Sequence, residues 1–570
     1  MNRLARYFVL TVSLVAILGG LTYRVITLHM DERDFLKKQG DARTTRLVST
    51  PPYRGMIVDR FGEPLAISTT VDSVWLNPKE FDLSHPQVVA LASSLDISVS
   101  QLNEKIKRSQ NREFVYLQRH ITPQAAKQVK SFAIPGVHLK REYRRYYPGG
   151  EISAHVLGFT DIDGGGQEGL ELGFNEWLSG KPGMKRIVRD RLGREVQILE
   201  GLKEMRSGQD LVLSLDQRLQ YLAYRELKAA VSRHQATGGS VVILDVTTGE
   251  ILAMVNQPSF NPNLRVKITN DGSFRNRAVT DMFEPGSTLK TFSVASALQH
   301  ARVTPNTLVD TSPGWIKVGG NIVKEDHYKN FGTINVSTIL QRSSNVGVSK
   351  LTFLQPAHRL YETYRALGFG VGTGSGFPGE SKGVLNKPPK NGSFVLATLA
   401  FGYGMTVTPL QLAQAYAILG AGGVKYPVSF LKQEETPPGE RVVDTMIARQ
   451  VVDMLSRVVS EGSGVRAQVV GYHTAGKTGT TRKISPKGGY EENSHVAVFA
   501  GLAPASHPKF SIVVMIDDPQ GKEYYGSQIA APVFSKVAAG ALRLYNLPPD
   551  TDIDSLRVAK INTDAVIFHE

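Results

Sequence analysis

A serine with a lysine three residues on can supply a nucleophile and its base, provided both lie on one helical face. The chain holds three such pairs: Ser287 with Lys290, Ser429 with Lys432, and Ser506 with Lys509. Ser506 is followed by His507 and Pro508, which read as a turn, and "YPVSFLK" around Ser429 supports no helical register. The first pair lies in "FEPGSTLKTFSVASALQH", residues 283–300. Pro285 and Gly286 there precede a predicted helix, Leu289, Phe292 and Ala295 mark its buried face, and Ser287 falls at its N-terminus. The positive end of a helix dipole favours an oxyanion developing on an attacked carbonyl. A lysine partly buried beside polar groups sheds its proton near neutral pH and serves as base. The expected chemistry is acyl transfer through a serine ester.

Ser-x-Asn occurs twice. Ser259/Asn261 precedes Ser287 and stands in the loop "QPSFNPN"; Ser343/Asn345 follows it, in "LQRSSNVGVSKL", between two apolar-periodic segments where a tight helix–helix turn is expected. Lys477, Thr478 and Gly479 come later, within "GYHTAGKTGT", residues 471–480. The same ten residues match the phosphate loop G-x-x-x-x-G-K-[ST], and "IVVMIDD" imitates the strand that holds its magnesium. A phosphate loop must run into a helix. Thr480 instead leads into "TRKISPKGGYEENS", whose Pro486, Gly488 and Gly489 break one. Lys477 is therefore expected at the edge of an antiparallel meander completed by "HVAVFAGLAP" and "KFSIVVMIDDP". Serine–lysine, Ser-x-Asn and Lys-Thr-Gly, in that chain order, are what a penicillin-recognising acyltransferase requires.

Two other glycine-rich readings fail. "GGGQEG", residues 164–169, matches a dinucleotide fingerprint with Asp190 at the right distance, but "AHVLGFTDID" before it ends in acids instead of a buried strand. "DIDGGGQEG" begins like a calcium loop, yet Gly165 and Leu172 stand where ligands are needed. No metal and no cofactor is expected. The chain has no cysteine, which excludes a thiol nucleophile, a thiolate zinc site and disulfides.

These residues need elements to position them. The 570 residues, 41% apolar and 21% charged, suit two or three folded domains. Residues 7–23 carry no charge and span roughly 26 Å as a helix; continued to residue 30, past Arg24, they cover the apolar core of a bilayer. Arg3 and Arg6 precede the span and "DERD" comes after it, so the positive-inside bias puts residues 1–6 in the cytoplasm and the body outside. A cleaved signal peptide is the alternative; either way the body is exported, where ATP is absent. Residues 35–205 read as a non-catalytic module of mixed structure, strand-rich at its start and helical from about 82 to 129. A long amphipathic helix with Leu219, Leu222, Leu227 and Ala230 inward and a hairpin turning at Thr248 and Gly249 open a second domain, residues 206–550, with a tail at 551–570. The net charge of +14 suits an anionic partner, and the lack of basic runs or aromatic stripes argues against nucleic acid.

The sequence resembles the class B penicillin-binding proteins, most closely the division-specific (penicillin-binding protein 3) type of Gram-negative bacteria. "RGMIVDRFGEPLAIS", "GFTDIDGGGQEGLE", "DRLGREV", "VVILDVTTGEILAMVNQPSFNPN", "RNRAVTDMFEPGSTLK", "SSNVG", "FGYGMTVTPLQLAQAYA", "TAGKTGT" and "YYGSQIAAPVF" carry the resemblance over nearly the whole chain. It implies one transmembrane helix, an α+β pedestal or dimerisation-type module, and a mixed α/β, serine β-lactamase-like transpeptidase domain whose antiparallel sheet is flanked by helices. It implies a D,D-transpeptidase that cross-links peptidoglycan stem peptides at the septum, anchored in the inner membrane with its catalytic domain periplasmic. Ser287 would attack the penultimate D-alanine carbonyl and Lys290 would take its proton. Ser343 would relay a proton to the leaving amine, and Asn345 would hold the substrate amide while touching Lys290. Lys477, Thr478 and Thr480 would grip the substrate carboxylate beside Gly479, and the Ser287 and Thr480 N–H groups would form the oxyanion hole. β-Lactams would acylate Ser287, and a membrane-embedded septal glycosyltransferase with other division proteins would be partners. An elongation-type transpeptidase, a carboxypeptidase or β-lactamase, and a β-lactam sensor share the acylation chemistry. The short cytoplasmic tail counts against the sensor, and the anchor and N-terminal module against the β-lactamase.

Overall fold

A computed structural model describes residues 3–189, 195–264, 272–389, 392–485 and 488–551. Asp190, most of the segment "DRLGREV" and the tail from residue 552 lie outside them. The chain forms two compact units, one from the N-terminal helix to Arg54 with Ser179–Gln209, the other Gly55–Leu178 with the chain from Asp210.

The first unit opens with the helix Arg3–Met30, none of whose residues is buried, followed by a second helix, Arg33–Thr44. Apolar side chains displayed on every face suit a lipid surround. Among the described residues it is the one helix long and apolar enough to cross a membrane. A three-stranded sheet, Thr45–Thr50, Gly183–Arg189 and Glu195–Lys203, completes the unit.

In the second unit, strands within residues 57–146, with Leu211–Val212, form a sheet whose long strand Pro64–Leu76 pairs with Val115–Ile121 and Val137–Tyr146. The helical reading of residues 82–129 is corrected here. Val88–Ser94, Val99–Lys107 and Pro123–Phe132 are helices, but Val115–Ile121 is a strand whose Val115, Leu117 and Ile121 are buried. Its β-branched and aromatic residues fit a pleated, half-buried surface better than a helix. Buried Glu171 accepts from Arg145 Nε at 2.6 Å, a pair removed from water together.

The larger part centres on a five-stranded antiparallel sheet in the order Ile251–Gln257, Gly238–Asp245, Phe510–Asp517, Tyr490–Ala503, Ala475–Ile484. The strands are continuous apolar runs because both faces are covered. Val241, Ile243, Ile512 and Phe499 pack in one core with helices Gln217–Arg233 and Gly526–Leu544. Val242, Leu244, Val513 and Val498 pack in the other with helices Pro409–Gly420 and Thr445–Glu461. One-residue alternation thus sends each strand's side chains into two different cores. Among the described residues Ala475–Ile484 pairs on one side only, which makes it an edge strand.

Candidate active site

The turn that carries Ser287 is built by close backbone contact. Gly286, at φ +54°, donates its N–H to Gly402 O at 3.1 Å, and Thr288 Oγ1 donates to Pro285 O at 2.7 Å. A Cβ on Gly402 would run into the Gly286 backbone, so both positions need glycine. Ser287 lies in a 3₁₀ turn, Gly286–Leu289, and the α-helix proper runs Lys290–His300. The sequence expectation placed one face of that helix in the core; most of its circumference is buried. Thr291, Ser293 and Ser296 are inside as well, each hydrogen-bonded: to Tyr416 Oη at 3.0 Å, to Ala400 O at 2.5 Å and to Gln355 Oε1 at 2.8 Å. Satisfied hydroxyls cost little to bury.

Ser343 is the meeting point. It ends the helix Val336–Arg342 in the left-handed region, φ +60°, immediately before Ser344 caps the helix Asn345–Phe353 through Gly347 N at 2.8 Å. That bend aims Ser343 Oγ at two buried amines: Lys290 Nζ lies 3.1 Å away and Lys477 Nζ 3.0 Å away. Lys290 Nζ also donates to Ser343 O at 2.6 Å. Burial drives the Lys290 amine down to about 8, against the opposing pull of Glu325 and Asp326. Burial, and then the nearby charge of Lys290, holds Lys477 well below the usual lysine range. Two buried ammonium groups sharing one hydroxyl repel each other, so the pair favours losing a proton. Ser287 is half-buried and its hydroxyl has no hydrogen-bond partner among the described residues.

On the edge strand, side chains alternate. Lys477 reaches Ser343; Thr478 Oγ1 donates to Ser463 Oγ at 3.2 Å, and Thr480 Oγ1 accepts from Gly526 N at 2.9 Å. Thr480 thus keeps its hydroxyl proton to donate. A Cβ on Gly479 would sit 3.0 Å from both Pro285 O and Thr288 Cγ2, which explains why the strand can lie against the turn that carries Ser287. Asn345 differs from the expectation drawn from the resemblance. Its Nδ2 donates to Lys324 O at 2.9 Å, and no hydrogen bond joins it to Lys290 among the described residues.

Sequence reasoning passed over Glu325, Ser463, Glu284 and the contact of His327 Nε2 with Tyr525 Oη at 3.0 Å. "VKEDHY" reads as solvated charge and "EGSGV" as a plain loop, so neither carries a local signal. Glu284, just before the turn, had one, since an acid amid "MFEPG" is out of keeping. It accepts from Gly404 N at 2.8 Å and Tyr490 Oη at 2.9 Å, and burial pushes its carboxyl up. Beside it opens a cleft of about 470 Å³ edged by Arg275, Arg277, Arg482 and Lys483 together with Asp281 and Asp517, which pair with Arg275, Arg277 and Lys483. Among the described residues no group of three or more His, Cys, Asp or Glu is placed to hold a metal.

Residues 239–539 match the family described as "Penicillin binding protein transpeptidase domain", and residues 49–213 match "Penicillin-binding Protein dimerisation domain". The peptidoglycan D,D-transpeptidase FtsI of Escherichia coli (strain K12) is 42% identical over 551 residues, 96% of this chain and 92% of that protein. The chain belongs to the class B penicillin-binding proteins. A second member, the probable peptidoglycan D,D-transpeptidase PbpC of Pseudomonas aeruginosa, is 40% identical over 554 residues, 97% of each chain. Among solved structures, penicillin-binding protein 3 of Mycobacterium tuberculosis complexed with aztreonam superposes with TM-score 0.68 at 27% identity, covering 88% of this chain and 98% of that one. The transpeptidase domain of Burkholderia pseudomallei penicillin-binding protein 3 gives TM-score 0.54 at 37% identity over 60% of this chain and 98% of its own. In this penicillin-binding protein the exposed apolar helix Arg3–Met30 fits a single-pass membrane anchor.

Proposed function

We propose that this penicillin-binding protein is a septal peptidoglycan D,D-transpeptidase acting through an ester on Ser287. The observation that carries the reading is Ser343 Oγ, held at 3.1 Å from Lys290 and 3.0 Å from Lys477, with half-buried Ser287 in the turn that leads into the helix of Lys290. Neutral Lys290 takes the Ser287 proton as Oγ attacks the penultimate D-alanine carbonyl. The Ser287 and Thr480 N–H groups stabilise the oxyanion. The terminal D-alanine carboxylate lies against Lys477, Thr478 and Thr480, and the donor peptide extends along the free edge of Ala475–Ile484. The C–N bond breaks as Ser343 passes a proton to the departing D-alanine amine. An amine from a neighbouring stem peptide then attacks the ester, forming the cross-link and returning the proton to Ser287. Asn345 keeps its side-chain carbonyl for the donor amide, and the net charge of +14 suits anionic stem peptides.

A β-lactam ring presents the same amide and carboxylate in strained form, and its acyl ester keeps the leaving amine tethered, so acylation should persist. The N-terminal tail is cytoplasmic and the catalytic domain periplasmic, on the charge bias around the anchor. Residues 35–205 act as a pedestal, with a septal glycosyltransferase and other division proteins as partners. Intact-mass analysis after incubation with a penicillin tests the enzyme reading. A stable one-to-one adduct, lost in Ser287→Ala, is expected. An adduct that vanishes within seconds would make the protein a hydrolase, and no adduct would remove the reading.

A further inference from the structure

Glu325 comes directly after the strand Asn321–Lys324 and is only 1% exposed. Its segment supplies no reason to bury a carboxylate. Its side-chain partners lie just beyond Ser343. Ser344 Oγ donates to Glu325 Oε1, Asn345 N donates to Oε2 at 2.6 Å, and Val346 N donates to Oε1 at 3.3 Å. From the next residue back, Lys324 O accepts Asn345 Nδ2 at 2.9 Å, and Glu325 N is itself tied to Gly314 O at 2.9 Å. The carboxylate therefore occupies the first turn of Asn345–Phe353, where free N–H groups favour negative charge.

The turn it holds is a strained one. A non-glycine residue in the left-handed region is strained by its own Cβ, and Ser343 at φ +60° persists only if both sides are tied. Ser343 N to Leu340 O, 3.2 Å, and Ser344 N to Ile339 O, 2.9 Å, tie the first side; Glu325 ties the second. Relaxation of that bend would swing Ser343 Oγ away from both amines.

We propose that Glu325 is a positioning residue for acyl transfer, fixing the Ser343–Ser344–Asn345 turn against Lys290 and Lys477 and supplying the negative charge that faces the Lys290 amine. The proposal rests on the transpeptidase reading of this site. The surroundings of Lys290 support it. The acids acting on its amine are Glu325 and Asp326, the latter with its side chain 70% exposed and better screened. The other cation nearby is Lys477. Tyr364 and Tyr416, packed on the same helix, are buried phenols pushed up and so neutral. His358, Arg359 and Glu362 act on His300, at the far end of that helix. Arg342, and the charged residues of Thr445–Glu461, point to solvent.

The test is the rate of acylation by a chromogenic penicillin, from pH 5.5 to 9.5, for the detergent-solubilised full chain and its Glu325→Gln, Glu325→Asp and Asp326→Asn variants. Lys290 works as the neutral amine, and negative charge favours its protonated form. Glu325→Gln should therefore move the acid limb of the profile down by about half a pH unit or more and lower the plateau about tenfold. Glu325→Asp should lower the plateau and leave the limb in place, and Asp326→Asn should change neither appreciably. An unshifted limb in Glu325→Gln, with or without a lower plateau, overturns the proposal by reducing Glu325 to a brace or less. If Glu325→Gln does not fold, Glu325→Asp decides: a tenfold lower plateau with an unmoved limb supports the proposal, and a wild-type rate overturns it. A wild-type protein that takes up no penicillin would instead sink the transpeptidase reading itself.

Discussion

Lys290 is 1% exposed and Lys477 is fully buried, an arrangement that stability alone would not favour. Burying an ammonium costs several kcal/mol unless it is paired or neutralised. With Lys290 at about 8 in the fold against 10.5 for a free lysine, the unfolded chain binds more protons between those values, so this group makes stability rise with pH there. Its penalty is fully present below about pH 8 and fades as pH climbs towards 10.5. Lys290→Met should accordingly raise the unfolding temperature at pH 7, by an amount worth at most about 3 kcal/mol, with a gain that narrows by pH 9.5. A gain independent of pH in calorimetry would contradict this account. The same substitution should cut penicillin acylation by roughly 10²–10⁴-fold, the usual worth of a positioned base.

At the scale of elements, the site depends on backbone surfaces pressed together without side chains between them. Gly402 lies on Gly286, Gly479 on Pro285, and Gly526 on the carbonyls of Gly479 and Val498. Each contact sets the distance between the Ser287 turn, the edge strand and the start of the helix Gly526–Leu544. Gly402→Ala should therefore displace Ser287 and lower acylation at least tenfold, since about 1 Å of misplacement costs about 10²-fold. Gly374 offers a control: it sits at φ +80° with open space around its Cα. Gly374→Ala should cost about 1 kcal/mol of stability and leave acylation unchanged. Equal acylation rates in the two variants would show that backbone strain, and not the close contact, governs the site.

For the whole molecule, the exposed apolar helix is separable from the chemistry. The proposed acylation groups, from Ser287 and Lys290 to Lys477 and Thr480, all lie within residues 284–526, and none comes from Arg3–Met30. Deleting residues 2–30 should abolish co-sedimentation with liposomes, because about 20 apolar residues are what hold a chain in a bilayer. The penicillin acylation rate should stay within about twofold, as no group set against the reacting atoms is removed. A truncated protein that folds by circular dichroism yet is not acylated would show that the anchor or its flank supports the site.

Much of this was legible in the sequence for a local reason. Glycine, proline and apolar periodicity act over a few residues, so the anchor, the Thr248–Gly249 hairpin and the meander that disqualified "GYHTAGKTGT" as a phosphate loop could all be read from the chain. The order of Ser287, Ser343 and Lys477 was enough to name the chemistry. The strand Val115–Ile121 was missed because the helical spacing of its flanks masked its own alternation. Asn345's bond to Lys324, the burial of Glu325, and Thr478's partner Ser463 were not legible at all. Each depends on which distant segment arrives at a given point. By itself, the sequence determined which side chains could do acyl transfer and roughly what elements carry them. Only the tertiary structure decided that two lysines far apart in the chain share one hydroxyl, because the lowered proton affinity of Lys290 arises from burial, against the pull of Glu325 and Asp326, and no short stretch of chain contains that surround.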